Sequence, residues 1–140
     1  MNNKKIGNQM EKKVAEYFAG EGYWVHRLQD NHNGQPFDMI AIRENKAYCM
    51  ECKHCIGNVF NLSRLEFNQK NAFEKLSKNG SENLYIAIQF GDDEYFYTML
   101  YEFYKKLLKS GVTSVKKEFL DMRFLADEDN IFKYYYDTVS

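Results

Sequence analysis

Apolar residues recur at three- and four-residue spacing through Ile6, Met10, Val14, Tyr17 and Phe18. That period predicts an amphipathic helix over residues 3–20. At roughly 100° per residue, Glu11 falls on the rim of the apolar face, while Glu16 points nearly opposite. Gly20 and Gly22 end the helix. The period then changes. YWVHRL (23–28), FDMIAIR (37–43) and AYCMECK (47–53) predict three strands. The turn-rich QDNHNGQP separates the first two, and the few polar residues between the last two predict a hairpin. Ser63 to Glu66 matches a capping box opening a second helix that closes near Gly80. Its apolar stripe is Leu65, Ala72, Phe73 and Leu76, with Gln69 in the same stripe. LYIAIQF (84–90), GDDE and YFYTML (95–100) predict another hairpin. Leu100, Phe103, Tyr104, Leu107 and Leu108 predict a third helix stopped by Gly111. A short helix around 119–125 and a strand around 132–136 are expected beyond it.

The order is therefore αβββαβ with additions. A helix between the third and fourth strands implies a right-handed crossover and a partly parallel sheet. This is an α/β domain with a mixed central sheet flanked by helices. At 140 residues the chain is expected to be one domain, 1–140, with a core of about 4–100. Residues 101–140 would add an accessory helix and packing or dimer elements.

Composition narrows the setting. There is no apolar run long enough to span a membrane and no secretory signal pattern. Three cysteines, an odd number, fit a reducing cytoplasm better than a disulfide scaffold. We expect a cytoplasmic protein, encoded by a bacterium or phage. Net charge is −1, but it is uneven. Residues 1–78 hold 12 Lys/Arg against 9 Asp/Glu, and residues 79–140 hold 7 against 11. A nucleic acid would meet the N-terminal half.

One stretch, YCMECKHC (48–55), carries two candidate chemistries. As C-x2-C-x2-C it suggests a metal held by thiolates. A zinc or iron–sulfur site usually needs four ligands, and only three cysteines and His54 are present. A strand also alternates its side chains, so Cys49 and Cys55 face one way and Cys52 the other. The cysteines are expected to be small apolar fillers. The same alternation gathers Glu51 and Lys53 on one face. An acid and a base on a buried strand ask for a reason, since unpaired burial is costly. Alone, Glu-x-Lys reads equally as an ordinary salt bridge.

Asp38 changes that balance. If the hairpin loop has an even number of residues, such as Asn45-Lys46, opposed positions sum to an odd number and Asp38 joins the face of Glu51 and Lys53. An odd loop places it on the other face. Two neighbouring carboxylates repel, which a hard divalent cation relieves. A lysine beside them suits a phosphate. This is equipment for metal-assisted attack of water on a phosphodiester.

Pro36-Phe37-Asp38 followed by Glu51-Cys52-Lys53 resembles the PD-(D/E)XK nuclease motif, and αβββαβ is similar to that restriction-endonuclease-like core. Within it, the likeness is to Holliday-junction resolvases. GNQMEKKVAEYFAGEGY (7–23) resembles the first helix of the archaeal enzymes. Phe60-Asn61-Leu62 and Gln69 resemble the stretch after Glu-x-Lys in RecU-type enzymes. The resemblance covers about residues 4–100. It implies that Glu11, Asp38 and Glu51 ligate Mg2+, with Mn2+ a substitute, and that the Cys52 backbone carbonyl adds an oxygen. It implies that Lys53 orients or deprotonates the attacking water, with Gln69 as a further active-site group. It also implies a homodimer that cuts branched double-stranded DNA to 5′-phosphate and 3′-hydroxyl ends. Linear or flap DNA is the alternative substrate, and a catalytically idle DNA-binding module the alternative class.

Lys4, Lys5, Lys12, Lys13 and Arg27 are candidate phosphate contacts, with a plain solvated helix face as the competing reading. His32, Asn33 and Gln35, in the loop leading to Asp38, are candidate DNA-backbone contacts; a polar loop tip is the alternative. Tyr134-Tyr135-Tyr136 are read as core or dimer contacts rather than base-stacking residues.

Overall fold

The computed structural model describes residues 3–29 and 35–124. Helix α1 (Asn3–Gly20) is followed by strands β1 (Trp24–Arg27), β2 (Met39–Arg43), β3 (Lys46–Cys55) and β4 (Val59–Asn61). A 3-10 turn (Leu62–Arg64) leads into α2 (Phe67–Lys78). Strands β5 (Leu84–Phe90) and β6 (Tyr95–Leu100), α3 (Tyr101–Lys109), β7 (Ser114–Lys116), a second 3-10 turn (Lys117–Phe119) and β8 (Asp121–Phe124) complete it. Six strands form one sheet in the order β1-β2-β3-β5-β6-β8, and β4 pairs with β7 separately. Among the described residues, only β3 and β5 run parallel in the large sheet, joined through α2 as a crossover.

The sheet is covered on both faces, which the alternation along β3 makes possible. Met10, Val14 and Phe18 of α1 pack on Met39, Ala41, Met50, Ala87 and Phe96. On the other face Phe73, Tyr101 and Tyr104 pack with Cys49, Cys55, Ile86 and Ile88. Cys49 and Cys55 therefore sit in one core, while Cys52 borders the other. All three are free thiols. They are the packing residues that alternation predicts.

Helix α1 ends where Gly22 takes φ 86°, a left-handed conformation cheap only for glycine. Tyr23 N–H then donates to Phe18 O at 3.0 Å and Gly22 N–H to Ala19 O at 3.1 Å, a Schellman closure. Helices α2 and α3 close in the same way at Gly80 and Gly111.

Four expectations need correction. The β2–β3 loop is Glu44-Asn45, not Asn45-Lys46; both have positive φ, 52° and 66°, as a type I′ turn requires. The loop is still even, and Arg43 opposes Lys46. The Phe37–Asp38 pair lies just before β2 rather than within it. Helix α2 does not start at Ser63. Leu62 and Leu65 are needed as core plugs, both 1% exposed, and the chain makes a tight 3-10 turn to bury them. The capping box falls three residues later, with Glu66 as N-cap and Gln69 at N3. Finally, of the residues expected as a helix around 119–125, those described, 119–124, form the end of a 3-10 turn and β8, because β6 offers a free edge that Asp121–Phe124 pairs with. The expected strand at 132–136, with Tyr134-Tyr135-Tyr136, lies outside the described residues.

Candidate active site

The register of the hairpin decides the site. Met39 opposes Met50, where the regular β2–β3 register ends, and the Asp38 side chain just before it lies close enough to Glu51 to act on its carboxyl. Asp38 and Met39 both face Met50, a bulge at the start of β2. Asp38 N–H donates to Met50 O at 2.9 Å, and its carbonyl accepts from Leu28 N–H at 2.8 Å. Phe37 holds the approach by stacking on Phe73 of α2 at 5.9 Å.

Both oxygens of the buried Asp38 carboxylate have donors. Cys52 N–H donates to Oδ2 at 2.7 Å, and Gln35 Nε2 donates to Oδ1. Gln35 is itself fixed, because Asn68 Nδ2 of α2 donates to its carbonyl at 3.0 Å. Gln35, a candidate DNA-backbone contact by its sequence position, orients Asp38.

Glu51 is 3% exposed. Its Oε2 accepts from Gln69 Nε2 at 2.6 Å and lies 3.4 Å from Lys53 Nζ. Its Oε1 is buried without a hydrogen-bond partner among the described residues. Burial first, and the Asp38 charge second, raise the Glu51 carboxyl to about 9 against the pull of Lys53. Gln69 uses both ends of its amide. Its Oε1 accepts from Glu66 N–H at 2.9 Å, which fixes Nε2 toward Glu51. The residue that caps α2 is thus the residue that orients the carboxylate.

Asp38, Glu51, Lys53 and Gln69 therefore converge. Glu11 reaches the site from α1. Arg27 opposes Met39 and so faces α1, where its Nη2 lies 3.6 Å from Glu11 Oε1. Glu11 and Arg27 are near enough to act on the Cys52 thiol, as are Asp38 and Glu51. Burial and the three carboxylates push that thiol well above its ordinary range, which disfavours a thiolate ligand.

The donor set suits a hard cation. Two adjacent buried carboxylates, one with an unpartnered oxygen, are what such an ion would neutralise. Among the described residues, no three His, Cys, Asp or Glu side chains are grouped as a complete metal site. The Asp38–Glu51 pair is the part already assembled.

The family model described as archaeal Holliday junction resolvase (Hjc) matches residues 2–126. The chain belongs to this family. Among solved structures it is similar to Archaeoglobus fulgidus Hjc, a Holliday junction resolvase from an archaeal hyperthermophile. The TM-score is 0.53 at 15% identity, covering 69% of this chain and 73% of that one, a likeness of fold. No curated protein matches the chain in sequence. The family and that structure are archaeal, so the expected bacterial or phage source finds no support in them. Among the described residues, no helix is long and apolar enough to cross a membrane.

The resolvase family directs attention to the cationic surface. Lys4, Lys5, Lys12 and Arg27 line one open groove of about 630 Å³ with Asn8 and Gln9. Lys13 falls in a different groove, beside Asp92 and Gln89. His32 and Asn33 lie outside the described residues. Sequence reasoning missed Asn68 and Arg64. Asn68 is the neighbour of Gln69 in sequence and the support of Gln35 in space. Arg64 lines a groove with Lys53, and its Nη1 donates to His54 O at 3.0 Å. Neither belongs to a motif, so only the fold reveals them.

Proposed function

We propose that the protein is a Mg2+-dependent Holliday-junction resolvase that hydrolyses phosphodiester bonds as a homodimer, leaving 5′-phosphate and 3′-hydroxyl ends. The observation that carries this reading is the buried Asp38–Glu51 pair with Lys53 beside it and Glu51 Oε1 unpartnered among the described residues. Asp38 and Glu51 would hold the ion, with Mn2+ as a substitute. Glu11 and the Cys52 carbonyl are the further oxygen ligands proposed, Glu11 after leaving Arg27. The bound ion would polarise the scissile phosphate and offset the charge that grows on it.

The protein's own groups do the rest. Gln69 fixes the Glu51 carboxylate in one orientation through Oε2. Cys52 N–H and Gln35 do the same for Asp38. Lys53 brings a cation to the phosphate and orients or deprotonates the attacking water. Lys4, Lys5, Lys12 and Arg27 bind flanking phosphates, with Lys13 contributing from the adjoining groove. Dimerisation follows from the substrate: two opposed strands of a four-way junction are related by a two-fold axis, and a two-fold enzyme matches them.

The test uses labelled four-way junction, flap and linear duplex with Mg2+, Mn2+ or EDTA. Paired symmetric cuts in the junction, dependent on the cation, are expected. Equal cutting of linear duplex would remove junction selectivity and leave a general nuclease. Binding without cutting in either cation would leave an idle DNA-binding module.

A further inference from the structure

Ile56 is 94% exposed, the most exposed of the large apolar side chains among the described residues. It opens the short Ile56–Asn58 loop between β3 and β4, three residues after Lys53. Both ends of that loop are pinned. Gly91 N–H donates to Cys55 O at 2.6 Å before it, and Lys117 N–H donates to Asn58 O at 3.2 Å after it. His54, just before Cys55, bonds Gly91 O through Nε2 at 2.7 Å. An isoleucine is thus held out into solvent on a fixed support.

Its surroundings explain why. Ile56 borders two grooves. One, of about 630 Å³, is lined by Lys53, His54, Arg64 and Val59, and none of its lining residues is acidic. The other, of about 440 Å³, is lined by Lys13, Gln89 and Asp92. The next most exposed large apolar residues, Phe67, Phe119 and Trp24, line neither groove. A bare apolar side chain beside cationic groups suits a polyanion that also offers apolar faces. Nucleic acid meets both conditions: phosphates for Lys53 and Arg64, and base faces for Ile56.

Building on the nuclease reading, we infer that Ile56 is a wedge that enters between stacked bases of the DNA beside the cut phosphate, and so helps select branched substrate. Apolar side chains of this kind insert at base steps and unstack them. Unstacking costs least where stacking is already interrupted, as at a branch point. Lys53 and Ile56 are separated by about 10 Å of extended chain. With nucleotides spaced about 3.4 Å along a strand, the opened step lies within roughly three nucleotides of the cut.

The experiment places 2-aminopurine at successive positions around the branch of a four-way junction. Binding is followed in EDTA, where no cutting occurs. The wild type should raise the fluorescence at one or two positions within about three nucleotides of the cut site mapped with Mg2+. Ile56→Ala should lose that signal and cut junctions roughly tenfold more slowly, the cost of an apolar side chain left in water. Its cutting of a duplex already carrying a mismatched bubble should be affected less. Ile56→Leu should keep both signal and cutting. Asp38→Asn should keep the signal without cutting, which separates the wedge from the chemistry. An unchanged signal in Ile56→Ala, or junction binding by the wild type without any signal, overturns the wedge and leaves the nuclease reading standing. A signal from a wild type that cuts nothing in Mg2+ or Mn2+ supports the wedge and refutes the nuclease. No junction binding overturns both.

Discussion

Replacing Glu51 by Gln should abolish cleavage and, in the metal-free protein, increase stability. Glu51 is 3% exposed, and its carboxyl is raised to about 9 by burial and by Asp38. In the unfolded chain it returns to an ordinary value near 4.5. Between those values the fold holds a proton that the unfolded chain has released. The stability this group contributes is therefore complete below about 4.5 and is lost as pH rises toward 9. Each pH unit in that window costs at most about 1.4 kcal/mol, so the loss at pH 7.5 approaches roughly 4 kcal/mol. A glutamine carries no such dependence. Its amide oxygen can accept from Gln69 Nε2 and its NH2 can turn toward Asp38, so the neutral geometry survives. Urea denaturation in EDTA at pH 5, 6.5 and 8 compares the two proteins directly. The Gln variant should be the more stable, by a margin that widens with pH. Added Mg2+ should stabilise the wild type by mass action and leave the variant nearly unchanged. A margin that stays flat with pH, or that favours the wild type at pH 8 without metal, refutes the picture of Glu51 as a buried carboxylate strained by Asp38.

Asp38→Asn should remove cleavage while sparing junction binding, measured by gel shift in EDTA; an active variant overturns the assignment. Gln69→Ala removes both the acceptor for Glu66 N–H and the donor to Glu51, which should cost about 2 kcal/mol in urea denaturation and slow cleavage. Gln69→Glu keeps the cap but sets a carboxylate against Glu51, so it should recover stability at low pH without recovering activity. Joint replacement of Lys4, Lys5 and Lys12 by Ala should weaken DNA binding and flatten its log–log salt dependence by about 2 to 3; an unchanged slope removes that groove from the interface. Cys52→Ser should retain cleavage and bound metal, and a large loss of metal by direct titration would revive a thiolate ligand.

The elements were legible because most obey one period each. Helix α1, β5 and β6 have the boundaries that their spacing predicts. The failures came where core demand overrides local chemistry. Ser63 and Glu66 form a valid capping box on paper, yet Leu62 and Leu65 both have to reach the core, and a 3-10 turn delivers them before α2 starts. The real cap uses Glu66 and Gln69, a pair that the same rule could have found three residues on. Residues 119–125 failed for a different reason. Asp121–Phe124 pair with β6, a non-local edge that no local pattern announces.

The site divides along the same line. Asp38, Glu51 and Lys53 were readable because strand alternation and hairpin parity are one-dimensional rules. The exact loop was misplaced by one residue; the loop is even as parity asked, and Asp38 does lie near Glu51, though it reaches it from a bulge at the end of the register. Gln69 was flagged as a polar break in an apolar stripe, and its amide indeed bridges the cap and Glu51. What the sequence could not supply was the side of the sheet on which each outlying partner lies. Glu11 was placed on the rim of α1, which is correct, but α1 covers the face that carries Arg27 and Cys52, whereas Gln69 approaches Glu51 from α2. A helix rim says where a side chain points, not which strand face receives it. That gap makes the Glu11–Arg27 pair informative: if Glu11 is the third ligand, Arg27→Ala should strengthen Mg2+ binding, measured calorimetrically without DNA, because it removes a cation that competes with the metal for the carboxylate. If the same substitution leaves Mg2+ affinity unchanged, Glu11 is a partner of Arg27 and not of the metal.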